Sequence, residues 1–94
     1  MSKKVAIGFD DEESRRKFKM TDAAQIELSK RVNRYVKRCR AKGMNDTEIV
    51  QGLLKVVHEA LSEFVSAKLV PDAMRWIVGR LRGQGLAVRW PIPK

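Results

Sequence analysis

The sequence predicts a mainly α-helical protein, and two observations support this fold class. Apolar side chains recur every three to four residues along three segments, as they do on the buried face of a helix. Capping residues, proline or glycine mark the ends of these segments, where helices commonly begin and end. We predict helices over about residues 22–42, 46–68 and 71–82, within a single domain spanning residues 1–94.

The first predicted helix has an apolar stripe opposite a basic face. Asp22 is the candidate N-cap, and Gly43 follows the helix as a stop signal. Residues 30–42 carry seven positive charges and no acidic residue. The apolar stripe consists of Ala24, Leu28, Val32, Tyr35, Val36 and Cys39.

The second predicted helix has the broadest apolar face and should form the centre of the core. Asn45 and Glu48 have the spacing of a capping box at its start. Pro71 suits the first turn of the third helix, which Gly83 should end. The apolar face of the second helix contains Ile49, Leu53, Val56, Val57, Ala60, Leu61 and Phe64.

Short β segments are expected near both ends of the chain, because apolar and polar residues alternate there. The alternating stretches are residues 3–9, 16–21 and 86–90. The acidic and basic cluster before residue 16 allows residues 1–15 to form a flexible N-terminal arm. A chain of 94 residues often leaves an apolar face uncovered. We therefore predict an intertwined homodimer.

The overall charge favours an anionic partner. The formal net charge is +9, and residues 1–45 contain thirteen basic but only six acidic side chains. The single Cys39 excludes an internal disulfide and suits a reducing cytoplasm. No apolar run is long enough to span a bilayer, and no signal peptide is present, so a cytoplasmic protein without membrane attachment is expected.

The basic face of the first helix is the strongest functional signal. An ordinary exposed helix interleaves acids with bases and gains ion pairs, whereas this face repels itself unless an anion lies against it. The expected partner is nucleic acid, with DNA favoured over RNA. The candidate phosphate contacts are Lys30, Arg31, Arg34, Lys37 and Arg38.

Residues 16–66 resemble the ribbon-helix-helix repressors, in particular the methionine-repressor branch. The resemblance rests on two segments, Lys17-Phe18-Lys19-Met20-Thr21 and Asn45-Asp46-Thr47-Glu48-Ile49. It implies that the first segments of two chains pair as a β-ribbon, with Phe18 and Met20 facing the core. Lys17, Lys19 and Thr21 would then enter the major groove of DNA, and the amides of residues 45–47 would bind a phosphate.

A second interpretation is a small interaction protein that inhibits or adapts a host protein. Trp76, Arg80 and Trp90 would form its partner surface together with a helical dimer face, and the basic helix would dock on an acidic host protein. Trp76 and Arg80 are spaced for a cation–π contact within one helix.

Enzymatic function is not expected. His58 has no nucleophile at a spacing typical of catalysis, and Cys39 falls in the apolar stripe. One cysteine and one histidine are too few for a zinc site. The glycines do not match a phosphate-binding loop, so no catalytic residue, metal or cofactor is predicted.

Overall fold

A computed structural model describes residues 12–90 of the chain, and these residues form four helices and no β-strand. The prediction of a mainly α protein is confirmed, but the prediction of three helices with β segments is wrong. The N-terminal β segment at 3–9 and most of the predicted arm lie outside the described residues. The helices are α1 (Glu12–Lys17), α2 (Asp22–Ala41), α3 (Asp46–Phe64) and α4 (Val70–Gly83).

Residues 16–21 form the end of α1 and a turn instead of a strand. Lys19 adopts a left-handed conformation with φ of 54°. The amide of Met20 consequently donates to the Arg15 carbonyl at 2.9 Å and closes the helix end. This reversal directs both Phe18 and Met20 into the core, so their alternating pattern arises from a turn. The ribbon strand implied by the repressor resemblance is therefore absent here.

Residues 86–89 form no regular secondary structure, and backbone groups of Val88 and Arg89 bond to side chains instead of a neighbouring strand. The Gln51 amide donates to the Arg89 carbonyl and accepts from the Arg89 amide, both at 2.9 Å. The Arg82 guanidinium donates to the Val88 carbonyl at 3.3 and 3.2 Å. The predicted C-terminal β segment is wrong because these side chains satisfy the backbone groups that a strand partner would satisfy.

The helix boundaries follow local capping chemistry. The N-cap of α2 is Thr21, one residue before the predicted Asp22, and its side chain accepts from the Ala24 amide at 3.0 Å. The predicted capping box of α3 is confirmed, since the Asn45 side chain accepts from the Glu48 amide at 2.9 Å while Glu48 bonds back. These contacts fix where α2 and α3 begin.

Helix α3 is the centre of the core, as its broad apolar face predicts. It packs against both α2 and α4, and seven of its residues are buried. The core of the described residues is built from the helices of one chain, and the intertwined homodimer stays a prediction. The buried residues of α3 are Ile49, Val50, Leu53, Leu54, Val57, Ala60 and Leu61.

Replacing Lys19 with glycine should stabilise the protein. Gly43 and Gly85 occupy the matching positions after α2 and α4, with φ of 78° and 84°. A non-glycine residue in this conformation costs about 1–2 kcal/mol. We expect Lys19→Gly to raise the free energy of unfolding by about 1 kcal/mol in urea denaturation.

The control for this prediction is Gly43→Ala, because no atom lies within 4 Å of the added Cβ and only the backbone conformation is tested. It should lower the free energy of unfolding by a similar amount. Equal stability of Lys19→Gly and the parent chain would show that the turn carries no strain.

Candidate nucleic-acid interface

Four basic side chains of α2 lie on the side of the helix that faces away from the core. All four are exposed, whereas Leu28, Val32 and Cys39 on the opposite side are buried. At a rise of about 1.5 Å per residue they extend along about 12 Å of the helix. We call this set the α2 ridge; it consists of Lys30, Arg34, Lys37 and Arg38.

Most other arginines of the described chain have carboxylate partners. The Arg16–Glu12 pair lies within α1, and the Arg40 guanidinium is 3.7 Å from Asp46 at the start of α3. Most carboxylates of the described residues are therefore paired with arginines outside the α2 ridge. The remaining pairs are Arg15–Asp22, Arg75–Asp72 and those of Arg31.

Arg31, a predicted phosphate contact, is neutralised within the protein. Its guanidinium donates to both oxygens of Glu63 on α3, at 2.5 and 3.3 Å, and to Glu27 at 3.2 Å. The hydrogen bond to Glu63, followed by that to Glu27, raises the pKa of Arg31. The same contact lowers the pKa of Glu63. The sequence could have indicated the Glu27 partner, because Glu27 and Arg31 are four residues apart on one helix. It could not have indicated Glu63, which lies on a different helix.

The α2 ridge differs from Arg31. Within residues 12–90, none of its four side chains has a carboxylate oxygen within 4.0 Å. Ion pairs with carboxylates of the same chain would have neutralised these charges without an external anion. The ridge instead keeps four charges without an ion pair on one exposed surface, and the charges repel one another.

A shallow groove runs beside the ridge, between α2 and α3. Its volume is about 180 Å³. Tyr35 and Val56 contribute apolar surface, and Glu59 contributes a carboxylate from α3. Its three arginines are Arg31, Arg34 and Arg38. The sequence does not reveal this groove, because the two helices that line it are brought together only by the packing of the fold.

Tyr35 of α2 lies against α3 at this groove. A Cβ added at Gly52 would overlap the Tyr35 hydroxyl oxygen, so the phenol packs directly against the α3 backbone. Burial, followed by a hydrogen bond with Cys39, raises the pKa of the Tyr35 phenol. Cys39 is buried, in agreement with its predicted place in the apolar stripe.

Lys17 and Lys19, predicted to enter a DNA groove from a ribbon strand, lie at the end of α1. The Lys17 ammonium is 4.6 Å from the centre of the Trp76 ring, and its charge is engaged there. Lys19 is exposed in the turn that follows. The structure therefore places both residues on a different element from the α2 ridge.

The predicted partner surface is partly used inside the protein. The predicted cation–π contact is confirmed, with the Arg80 guanidinium 4.9 Å from the Trp76 ring centre. Phe18 meets Trp76 edge-on at 5.9 Å, and Trp90 lies 5.4 Å from His58. Both tryptophans are half-buried against the core. They act here as contacts between elements of the same chain.

The described part of the chain contains no cluster of three histidine, cysteine or acidic side chains that could hold a metal ion. None of its helices combines the length and apolar character needed to cross a membrane. Comparison of the chain with protein-family models, curated proteins and solved structures gave no match.

Proposed function

We propose that this protein is a small DNA-binding regulator that contacts the phosphate backbone of duplex DNA through the α2 ridge. The observation that carries the proposal is the absence, among residues 12–90, of any carboxylate partner for the four ridge side chains. Binding DNA would replace the repulsion among these charges with attraction to phosphates and release condensed counterions.

The contrast between the ridge and the rest of the surface supports this proposal. The same chain pairs Arg15, Arg16, Arg31, Arg40 and Arg75 with its own carboxylates. A ridge retained only for solubility would gain stability from similar pairs. Its lack of acids is what a surface facing a polyanion requires.

The shape of α2 favours duplex DNA over duplex RNA. The helix runs for 20 residues and presents the ridge along its outer side. The major groove of B-form DNA admits an α-helix, whereas the major groove of A-form RNA is too narrow and deep for side chains to read. Phosphates flanking such a groove are within reach of a helix lying along it.

A protein partner is less well supported by the exposed apolar surface. Protein interfaces depend on buried aromatic or aliphatic anchors. Ile26, 57% exposed, is the single large hydrophobic side chain classed as exposed in the described range. The apolar face of α3, which a helical dimer surface would use, is covered by α2 and α4.

Salt dependence tests the proposal. We expect a fluorescein-labelled random duplex to bind with a log–log salt slope of about −3 to −4, because four phosphate contacts contribute about −0.9 each. Raising the salt from about 50 to 200 mM should therefore weaken binding roughly 100-fold. Fluorescence anisotropy measures both quantities, and unlabelled duplex RNA should compete less well than DNA.

The absence of association at the lowest salt concentration would refute DNA binding by this surface. A slope near zero would also refute it, because contacts dominated by phosphates cannot be insensitive to salt. A slope about twice as steep would show that ridges from two chains act together on one duplex.

A further inference from the structure

We infer that the groove between α2 and α3 is a site for one phosphodiester group, held by Arg34 and Arg38 while Glu59 limits the charge that the groove accepts. This inference rests on the proposed function, since the phosphodiester would belong to the DNA backbone. It goes beyond that proposal by separating the ridge into two arginines that hold one phosphate and two lysines that act as general countercharges.

The size of the groove indicates what can enter it. Its volume of about 180 Å³ is below the range of about 300–1,000 Å³ that is usual for small-molecule pockets. It corresponds to the space of about six water molecules. A tetrahedral oxyanion with its ester carbons fits such a space, but a whole nucleotide or cofactor does not. The groove therefore suits one small group of a larger ligand that continues beyond it.

Among residues 12–90, the charges that line the groove include two arginines without an ion pair and one carboxylate. Arg31 and its two glutamate partners, Glu27 and Glu63, together carry one net negative charge. Arg34 and Arg38 then face one carboxylate, Glu59, for which the ion pairs of the described chain show no basic partner. The three arginines and the three glutamates around the groove therefore sum to zero, so a phosphate would be held by the donors of Arg34 and Arg38 and opposed by Glu59. A phosphodiester is the form in which the DNA backbone would present phosphate to this groove, and Glu59 would weaken the attraction of the groove for it.

The residue types on the groove wall differ from those on the outer ridge. Arg34 and Arg38 line the groove, and Lys30 and Lys37 do not. A guanidinium presents a rigid fork of donors that matches two oxygens of one phosphate, whereas an ammonium acts as a mobile point charge. Arginine is thus placed where a fixed phosphate geometry would matter.

Glu59→Gln tests the charge argument, with Glu13→Gln as its matched control. Both carboxylates are exposed and both variants gain the same net charge, but Glu13 lies on α1 away from the groove lining. We expect Glu59→Gln to tighten binding to the labelled duplex roughly fivefold, as removal of one unit charge about 4 Å from a phosphate predicts. Glu13→Gln should change it less than twofold.

A second pair of variants tests the geometry. Arg34→Lys with Arg38→Lys keeps every charge but removes both forks, so binding should weaken about tenfold, as loss of a charge-assisted hydrogen bond implies. Lys55→Arg with Lys68→Arg makes the opposite exchange at exposed positions outside the ridge and should leave affinity within about twofold. Circular dichroism on each variant monitors the fold.

The outcomes separate the two proposals. If the parent chain binds DNA but Glu59→Gln matches Glu13→Gln, or the double Arg→Lys variant binds like the parent, the groove inference is overturned while DNA binding stands. If the parent chain fails to bind DNA at low salt, both fall. Phosphatidylglycerol headgroups also contain a phosphodiester, so vesicles of that lipid serve as a second probe. If the protein sediments with these vesicles but does not bind DNA, the assignment of the groove to nucleic acid is overturned.

Discussion

Removing the four charges of the α2 ridge is expected to abolish measurable DNA binding without unfolding the protein. The variant carries Ala at all four positions. Losing four phosphate contacts should weaken binding at least 100-fold near 100 mM salt and remove about 3.6 from the magnitude of the salt slope. The helix should remain intact, because the ridge side chains are exposed and alanine has the highest helix propensity.

A second variant of equal charge shows whether position or total charge matters. Four exposed cations outside the ridge are replaced by alanine, so both proteins lose four positive charges. This control should keep most of the parent affinity, because its side chains contribute only to the general field. The four positions are Lys55, Lys68, Arg75 and Arg89.

Two results would contradict the prediction. Equal loss of binding in the two variants would mean that DNA responds to net charge alone and that α2 has no special role. Unfolding of the ridge variant, seen as loss of helical circular dichroism or of a cooperative thermal transition, would mean that these side chains support the fold. Either result would remove the basis for assigning the ridge to DNA.

The sequence predicts the faces of α2 correctly because helical periodicity is a local property. Its predicted stripe packs against the core, and the four residues of the α2 ridge are exposed. Ion pairs, in contrast, can join residues that are far apart in the sequence. Arg31 has the same spacing as the ridge residues, yet its bidentate partner Glu63 lies 32 positions away. Only the packing of α2 on α3 removes Arg31 from the candidate contacts.

The predicted β segments fail for a related reason. Alternation over five or six residues is equally compatible with a strand and with a turn that directs two side chains inward. Phe18 and Met20 are brought to the core by one left-handed residue, Lys19. At the other end, Arg89 finds its backbone partner in the Gln51 side chain, 38 positions away. Neither the turn at Lys19 nor the contact between Arg89 and Gln51 can be predicted from the alternation of nearby residues.

Replacing Gly52 with alanine is expected to destabilise the protein, although the helix propensities alone predict the reverse. Alanine in a helix interior is favoured over glycine by about 1 kcal/mol. At Gly52 the added Cβ would overlap the Tyr35 hydroxyl oxygen, so the half-buried ring or α2 must move. Such overpacking costs about 1–3 kcal/mol. The free energy of unfolding should therefore fall by up to about 2 kcal/mol in urea denaturation.

Two further variants identify the cause. Gly79→Ala lies within α4 with no atom within 4 Å of the new Cβ, so it should raise the free energy of unfolding by about 0.5–1 kcal/mol. Tyr35→Phe removes the obstructing oxygen and leaves Cζ as the nearest contact, at 3.2 Å. In a double-mutant cycle, Gly52→Ala should then cost at least about 1 kcal/mol less in the Tyr35→Phe background than in the parent chain. Additive effects would show that Tyr35 does not set the spacing of α2 and α3, and the groove beside it would lose its structural basis.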